Sequence, residues 1–168
     1  DGNYEVICPL VAQDAGLGVI GRMGLLMTPR LGPRVRIAVV TTSMPLPQTP
    51  FRPDLTTIDF CNHCHKCARV CPSSAIPRGR REAYEGICRW KIDSERCYLF
   101  WTIAGTDCGR CMIHCPFSHP DNWLHAFIRW GIKNNLVFRR IAIKLDDVFY
   151  GRNPRAKQLP AGPSMKRI

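Results

Sequence analysis

Cys61, Cys64, Cys67 and Cys71, with Pro72 directly after them, form a C-x2-C-x2-C-x3-C-P run. This is the pattern that holds 4Fe-4S clusters in bacterial ferredoxins. The two-residue gaps let three thiolates curl round three irons of one cube, while the fourth cysteine points toward a neighbouring cluster. A second run, Cys108, Cys111 and Cys115 followed by Pro116, lacks its first cysteine, and Gly105 stands at that position. Exchanging the last cysteine of each run completes one set, Cys61, Cys64, Cys67 and Cys115. The other set holds Cys71, Cys108 and Cys111 and needs a fourth ligand. Upstream of the second run stand Cys97, Cys88 and Cys8. Cys97 is preferred over Cys88 because it is nearer, and Tyr98, Phe100 and Trp101 beside it can form an apolar wall against water. Cys8 and Cys88 are then expected to be buried small apolar residues. Zinc is the competing use of these cysteines, with His63 and His65 as further ligands, but structural zinc sites use paired C-x2-C knuckles rather than this run.

The elements that must position these thiols can be read from the same sequence. Residues Val35 to Thr41 are rich in β-branched side chains and predict a strand, after a turn at Pro29 and Gly32-Pro33. Four prolines at 45, 47, 50 and 53 exclude helix or central strand over 41–53 and mark a connector. Beyond the cysteines, Asp121 is expected to cap a helix carrying Leu124, Phe127 and Ile128 on one face and ending near Gly131. A second amphipathic helix is predicted from Leu136 to Tyr150, stopped by Gly151 and Pro154. Arg152 to Ile168 reads as a loosely held tail. The organisation expected is therefore residues 1–50, a cysteine-rich module over 51–120, and helices with a basic tail over 121–168.

With 168 residues, of which 45% are apolar, the chain can bury a core. It begins at Asp1 with no signal-like segment, and is expected to be the C-terminal part of something longer. No apolar run reaches the roughly 18 residues of a membrane-spanning helix. The net charge is +11, and Arg129 to Ile168 holds ten Lys or Arg against Asp146 and Asp147. A polyanion could be met by such a tail. The preferred reading is a solvated face that offsets anionic clusters, with no nucleic-acid partner. Gly16, Gly18 and Gly21 match G-x-G-x-x-G, the dinucleotide fingerprint, yet no acidic residue lies between Asp14 and Asp54 to hold a ribose. Tight backbone packing is the simpler use of these glycines.

Taken together, Ala15 to Arg36, Met44-Pro-Leu46, the two cysteine runs, Trp90 to Tyr98 and Cys115-Pro-Phe117 resemble the C-terminal half of the corrinoid-dependent reductive dehalogenases. The resemblance runs from about Ala12 to Gly151. It implies an α+β fold: the end of a nitroreductase-like α/β corrinoid-binding domain, then a ferredoxin-like module with two 4Fe-4S clusters and a C-terminal helical tail. It implies electrons passing from a donor through the clusters to corrinoid cobalt, which cleaves a carbon-halogen bond of an organohalide. It implies a proton-donating tyrosine supported by a basic residue. Tyr4 matches no such motif, and Arg36 is the first choice for the basic residue, with Arg22 next. Gly16, Gly18, Gly21 and Arg22 would lie against the corrinoid. One departure is Thr42-Ser43, where the family commonly has Thr-Asp.

The resemblance also implies attachment to the outer face of the cytoplasmic membrane through a small membrane-anchor subunit. Two other functions share parts of the pattern. Epoxyqueuosine reductases combine a corrinoid with iron-sulfur clusters, and two-cluster ferredoxin-type carriers need no cobalt.

Overall fold

The computed structural model describes residues 6–47, 54–84 and 86–152. Tyr4, the end of the connector and the basic tail after Arg152 lie outside the described residues. Helix α1 (Cys8–Asp14) starts with a proline in its first turn and packs on a two-residue antiparallel hairpin, β1 (Val19–Ile20) and β2 (Leu26–Met27). Val19, Leu26 and Met27 are buried, so this hairpin is closed by its side chains.

Helix α2 (Leu55–Cys64) is capped by Asp54, whose side chain accepts from the Thr56 amide at 3.0 Å. It ends at His65, which adopts a left-handed conformation at φ 55°. Helix α3 (Lys66–Val70) starts immediately after it. The reversal at His65 keeps Cys64 and Cys67 facing one interior, at a strain cost of order 1 kcal/mol. A second hairpin, β3 (Glu82–Tyr84) and β4 (Ile87–Arg89), leads to α4 (Ser94–Ala104). Asp93 caps α4 by accepting from the Arg96 amide at 3.0 Å. Helix α5 (Arg110–Ile113) and one 3-10 turn at Pro116–Ser118 carry the second cysteine run.

Two antiparallel helices follow, α6 (Trp123–Asn134) and α7 (Leu136–Tyr150), and both pack on α2. Phe60 and Phe117 meet edge to face at 5.0 Å in the centre of the core. Val19, Met23, Met27, Ala68, Ile76, Ile132 and Ala142 complete it, so the glycine-rich block, the cysteine module and the terminal helices share one interior.

Three expectations change. Residues 33–47 have no regular secondary structure, so the strand predicted over Val35–Thr41 does not form. Its β-branched side chains suit a sheet, but among the described residues no strand lies beside it, and Val40 is 87% exposed. The cap of α6 is Asn122, which accepts from the His125 amide at 3.0 Å, rather than Asp121. Asp121 is held by Arg30 at 2.7 Å and by Arg129. Cys88 is exposed on β4 and Cys8 is half-buried, so neither is the buried apolar residue expected. Both sheets are small and antiparallel, which makes the fold a mixture of helices with minor β structure.

Candidate metal centre

Cys61, Cys64, Cys67 and Cys115 are buried, and their thiols interact with one another. Burial pushes the Cys64 thiol up to about 12, and the nearby Cys61 pushes in the same direction. Cys67 is raised by burial first and then by Cys61, Cys64 and Cys111. Cys115 is raised well above an ordinary thiol by burial, with Cys61, Cys64 and Cys67 adding to the effect. The second set is half-buried. Burial pushes the Cys111 thiol up to about 11, followed by Cys108, Cys71 and Cys97. For Cys97, burial is again the first cause, and its thiol neighbours are Cys71 and Cys108. Cys88 lies outside both groups and lines a groove on the hairpin side.

The helix caps account for the missing first cysteine of the second run. Gly105 is the C-cap of α4, in the left-handed conformation at φ 72°, with its amide bonded to Trp101 O at 2.9 Å. A non-glycine residue there is strained. Cys97, one turn inside α4, is carried by the helix that Gly105 terminates.

Four thiols in one apolar space cannot all ionise without a compensating positive charge. A metal core supplies that charge and takes the protons' place. The described residues fit such a core. Arg22 is 1% exposed, and burial lowers its guanidinium, an effect opposed by the thiols of Cys67, Cys61 and Cys64. It donates to Cys61 O at 3.0 Å and to Pro77 O and Gly79 O, each at 2.8 Å, and stacks on Trp90 at 4.7 Å. Arg110 Nε, between Cys108 and Cys111 in sequence, is buried with no hydrogen-bond partner among the described residues. A single tetrahedral ion would draw four sulfurs to within about 3.8 Å of each other. Among the described residues no group of three or more Cys, His, Asp or Glu is gathered for one ion. A cubane spreads its thiolates over four irons and sets them wider apart.

A second cation was not foreseen from the sequence. Lys66, between Cys64 and Cys67, is 1% exposed and bonds to Asp146 of α7, with Asp147 Oδ1 at 3.7 Å. His119 Nε2 also meets Asp146, at 2.6 Å. Burial opposes ionisation of Asp146, but the hydrogen bonds from His119 and Lys66 outweigh it and hold the carboxyl below its ordinary value. The signal was legible: Arg139, Ala142 and Asp146 share one stripe of α7, so two charges on the buried face required partners.

The other predicted site residues lie as follows. A Cβ on Gly18 would stand 2.2 Å from Met27 O, and one on Gly21 would stand 2.7 Å from Met27 Cγ. These two glycines are therefore closed against the chain itself. Gly16, at φ 76°, has open space around its Cβ direction. Among the described residues no strand precedes the glycine motif and no helix follows it directly, so the dinucleotide context is missing there. Arg22 faces the first thiol set. Arg36 is exposed on irregular backbone. His63 is exposed, and His65 lies against Arg22 at 3.4 Å.

Comparison with known proteins adds an independent line. Residues 60–119 match the family model of the 4Fe-4S dicluster domain. The tetrachloroethene reductive dehalogenase of Sulfurospirillum multivorans is 38% identical over 149 residues, which is 83% of this chain and 29% of that protein. Its counterpart in Desulfitobacterium hafniense is 38% identical over 160 residues, 88% of this chain and 28% of that protein. The epoxyqueuosine reductase of Synechococcus sp. is 29% identical over 120 residues, 64% of this chain. Among solved structures, the catabolic reductive dehalogenase NpRdhA superposes with a TM-score of 0.81 at 33% identity. The match covers 89% of this chain and 22% of that one. A reductive dehalogenase whose structure suggests a mechanism for B12-dependent dehalogenation superposes at 0.80 with 35% identity. This chain thus spans less than a third of the length of these relatives.

Proposed function

We propose that this chain, which belongs to the reductive dehalogenase family, delivers electrons through two 4Fe-4S clusters to a corrinoid that reductively dehalogenates an organohalide. The observation that supports the reading is the nearness of eight thiols in two adjoining groups, with Cys97 beside Cys71 and Cys108 and the groups meeting at Cys67 and Cys111. Cys61, Cys64, Cys67 and Cys115 would hold one cluster, and Cys71, Cys97, Cys108 and Cys111 the other. When bound, the clusters supply one-electron carriers, and the corrinoid supplies the low-valent cobalt that attacks the carbon-halogen bond.

The chain's own residues bind, insulate and position. Arg22 places a fixed cation beside the first set and ties Cys61 to the Pro77–Gly79 loop. Phe60, Phe117 and Met27 close that set from water. Gly16 is the glycine of its block left open to a flat macrocycle. Gly18, Gly21 and Arg22 would act behind it by fixing the hairpin. Arg36, exposed, would be the basic partner of a proton-donating tyrosine that this chain does not supply.

Residues 1–50 would be the end of a nitroreductase-like corrinoid domain, 51–120 the cluster module and 121–168 the helical tail. Support comes from the unpartnered apolar stripes of α6 (Trp123, Phe127, Trp130) and α7 (Val137, Ile141, Val148), all at least 46% exposed. A further large domain would cover these stripes. On the same reading the protein works at the outer face of the cytoplasmic membrane beside a small anchor subunit. No described helix is long and apolar enough to cross a membrane.

The test is the iron, acid-labile sulfide and cobalt content of the anaerobically purified protein. About eight irons are expected, falling to about four in Cys97→Ala and unchanged in Cys88→Ala. Loss of a cluster in the Cys88 variant instead would overturn the ligand assignment. Cobalt remaining absent after growth with a cobamide supply would refute the corrinoid part.

A further inference from the structure

The two thiol sets open onto surfaces of different chemistry. Beside the second set lies a groove of about 860 Å³ whose walls include Ile20, Met23, Ile92, Cys97, Tyr98 and Trp101, with Arg89, Lys91 and Arg81 at its polar part. Beside the first set lies a concavity of about 610 Å³ lined by His63, His65, Arg78, Arg80 and Arg81, with Arg22 among them. Its lining includes Asn62, His63 and His65, which alternate with the ligand cysteines of α2 and α3. Its far wall is the Pro77–Gly79 loop, which Arg22 holds to Cys61 O through a shared guanidinium. The concavity is therefore linked to the first set through Arg22, which lines it and donates to Cys61 O. Arg78 and Arg80 are exposed, and no acidic side chain is among its lining residues.

Permanent interfaces bury large apolar areas, whereas redox encounters are small, transient and steered by charge. A mainly apolar groove at the second set fits a permanent covering. A cationic concavity at the first set fits a partner that arrives, delivers and leaves. We infer that the His63, His65, Arg78, Arg80 and Arg81 concavity is the docking site of an acidic one-electron carrier protein, so that electrons enter at the Cys61, Cys64, Cys67 and Cys115 set. Each encounter moves one electron: the carrier is oxidised by one and the docked cluster is reduced by one. This inference rests on the two-cluster reading and adds the direction of flow.

The experiment measures reduction of the cluster-loaded protein by a reduced, acidic plant-type ferredoxin, following bleaching of the visible cluster absorption in a stopped-flow instrument. Association of the two oxidised proteins is titrated in parallel. In Arg78→Glu/Arg80→Glu, the second-order rate at low salt is expected to fall at least tenfold, with a flattened salt dependence. Binding is expected to weaken in step. Reduction by the small cationic viologen radical should not slow. Arg30→Glu/Lys133→Glu makes the same change in net charge away from the concavity and should alter the ferredoxin rate by less than about twofold. An unchanged rate in the first variant, or an equal fall in the second, overturns the docking site. Wild-type protein that shows no cluster absorption at all fails the two-cluster reading, which the docking variants alone would not.

Discussion

Replacing Asp146 by Asn should loosen α7 from the cysteine module, because it strands a buried ammonium. The Lys66 side chain is 2% exposed and that of Asp146 is 8% exposed. Removing one partner of such a pair costs about 3–5 kcal/mol, since the remaining charge stays desolvated. Asp147, with Oδ1 3.7 Å from Lys66, takes up part of the charge, which puts the expected loss near the lower end, about 3 kcal/mol. For a chain of this length that corresponds to a fall in Tm of about 6–12 °C. The sign with pH follows from the depressed carboxyl. Its contribution is present above the ordinary unfolded aspartate value and lost as pH falls through the lower folded value. Wild-type protein should therefore lose stability below about pH 4, and the Asn variant should show a smaller loss there. The assay is thermal unfolding by far-ultraviolet circular dichroism under anaerobic conditions, paired with the rate of iron release to a chelator. Because Lys66 stands between Cys64 and Cys67, iron release from one cluster should quicken. A Lys66→Met/Asp146→Leu double variant should recover to within about 1 kcal/mol of wild type, as a buried pair replaced by apolar groups usually does. An Asn variant as stable as wild type, or a double variant as damaged as the sum of the singles, would refute the buried-pair reasoning.

Two further perturbations separate local causes. Gly18→Ala should destabilise by about 2 kcal/mol or more, since its Cβ would meet Met27 O at 2.2 Å. Gly16→Ala meets only the left-handed backbone penalty, about 1 kcal/mol; urea unfolding of the two variants should rank them in that order. In the cluster-free protein at pH 8, iodoacetamide should alkylate exposed Cys88 first and Cys115 last. The Cys115 thiol is raised by burial and by its thiol neighbours, so little thiolate is present there to react. Mass-spectrometric peptide mapping over time reads the order, and early alkylation of Cys115 would show that the first set is open rather than enclosed.

Much of the site was legible because ligand spacing is a local property. The proposed set of eight cysteines comes from counting two runs and finding one short, and the structure puts Cys97, on α4, near Cys71 and Cys108. Helix α7 was legible end to end, since Asn135 caps it, Gly151 stops it and its buried stripe repeats at 139, 142 and 146. The start of α6 was misplaced by one residue because Asp121 and Asn122 can both cap. Only tertiary contact, with Arg30 and Arg129 taking Asp121, decides between them. The strand over Val35–Thr41 failed for the converse reason: β propensity describes a side chain's fit to a sheet and cannot supply the neighbouring strand. Arg22 and Lys66 were not identified as cations beside the first set because Lys66, inside a ligand run, and Arg22, 39 residues before Cys61, look solvated until their distant partners are known. Pro77 and Gly79 lie 55 and 57 residues from Arg22, and Asp146 lies 80 residues from Lys66.

The same placement of cations bears on the surplus of +11. Eight thiolates round two cores of charge about +2 each would bring in about −4, leaving roughly +7 on the loaded protein. The part of the surplus nearest the cysteines is buried: Arg22 beside Cys61, Lys66 between Cys64 and Cys67, and Arg110 Nε without a partner among the described residues. Without clusters, the thiols of the first set hold their protons, and Arg22 meets backbone carbonyls whereas Lys66 is already paired with Asp146. Loading a cluster supplies negative charge within the low-dielectric interior, where each interaction is strongest. On the two-cluster reading, the buried Arg22 would thus supply part of the counter-charge for the cluster beside it.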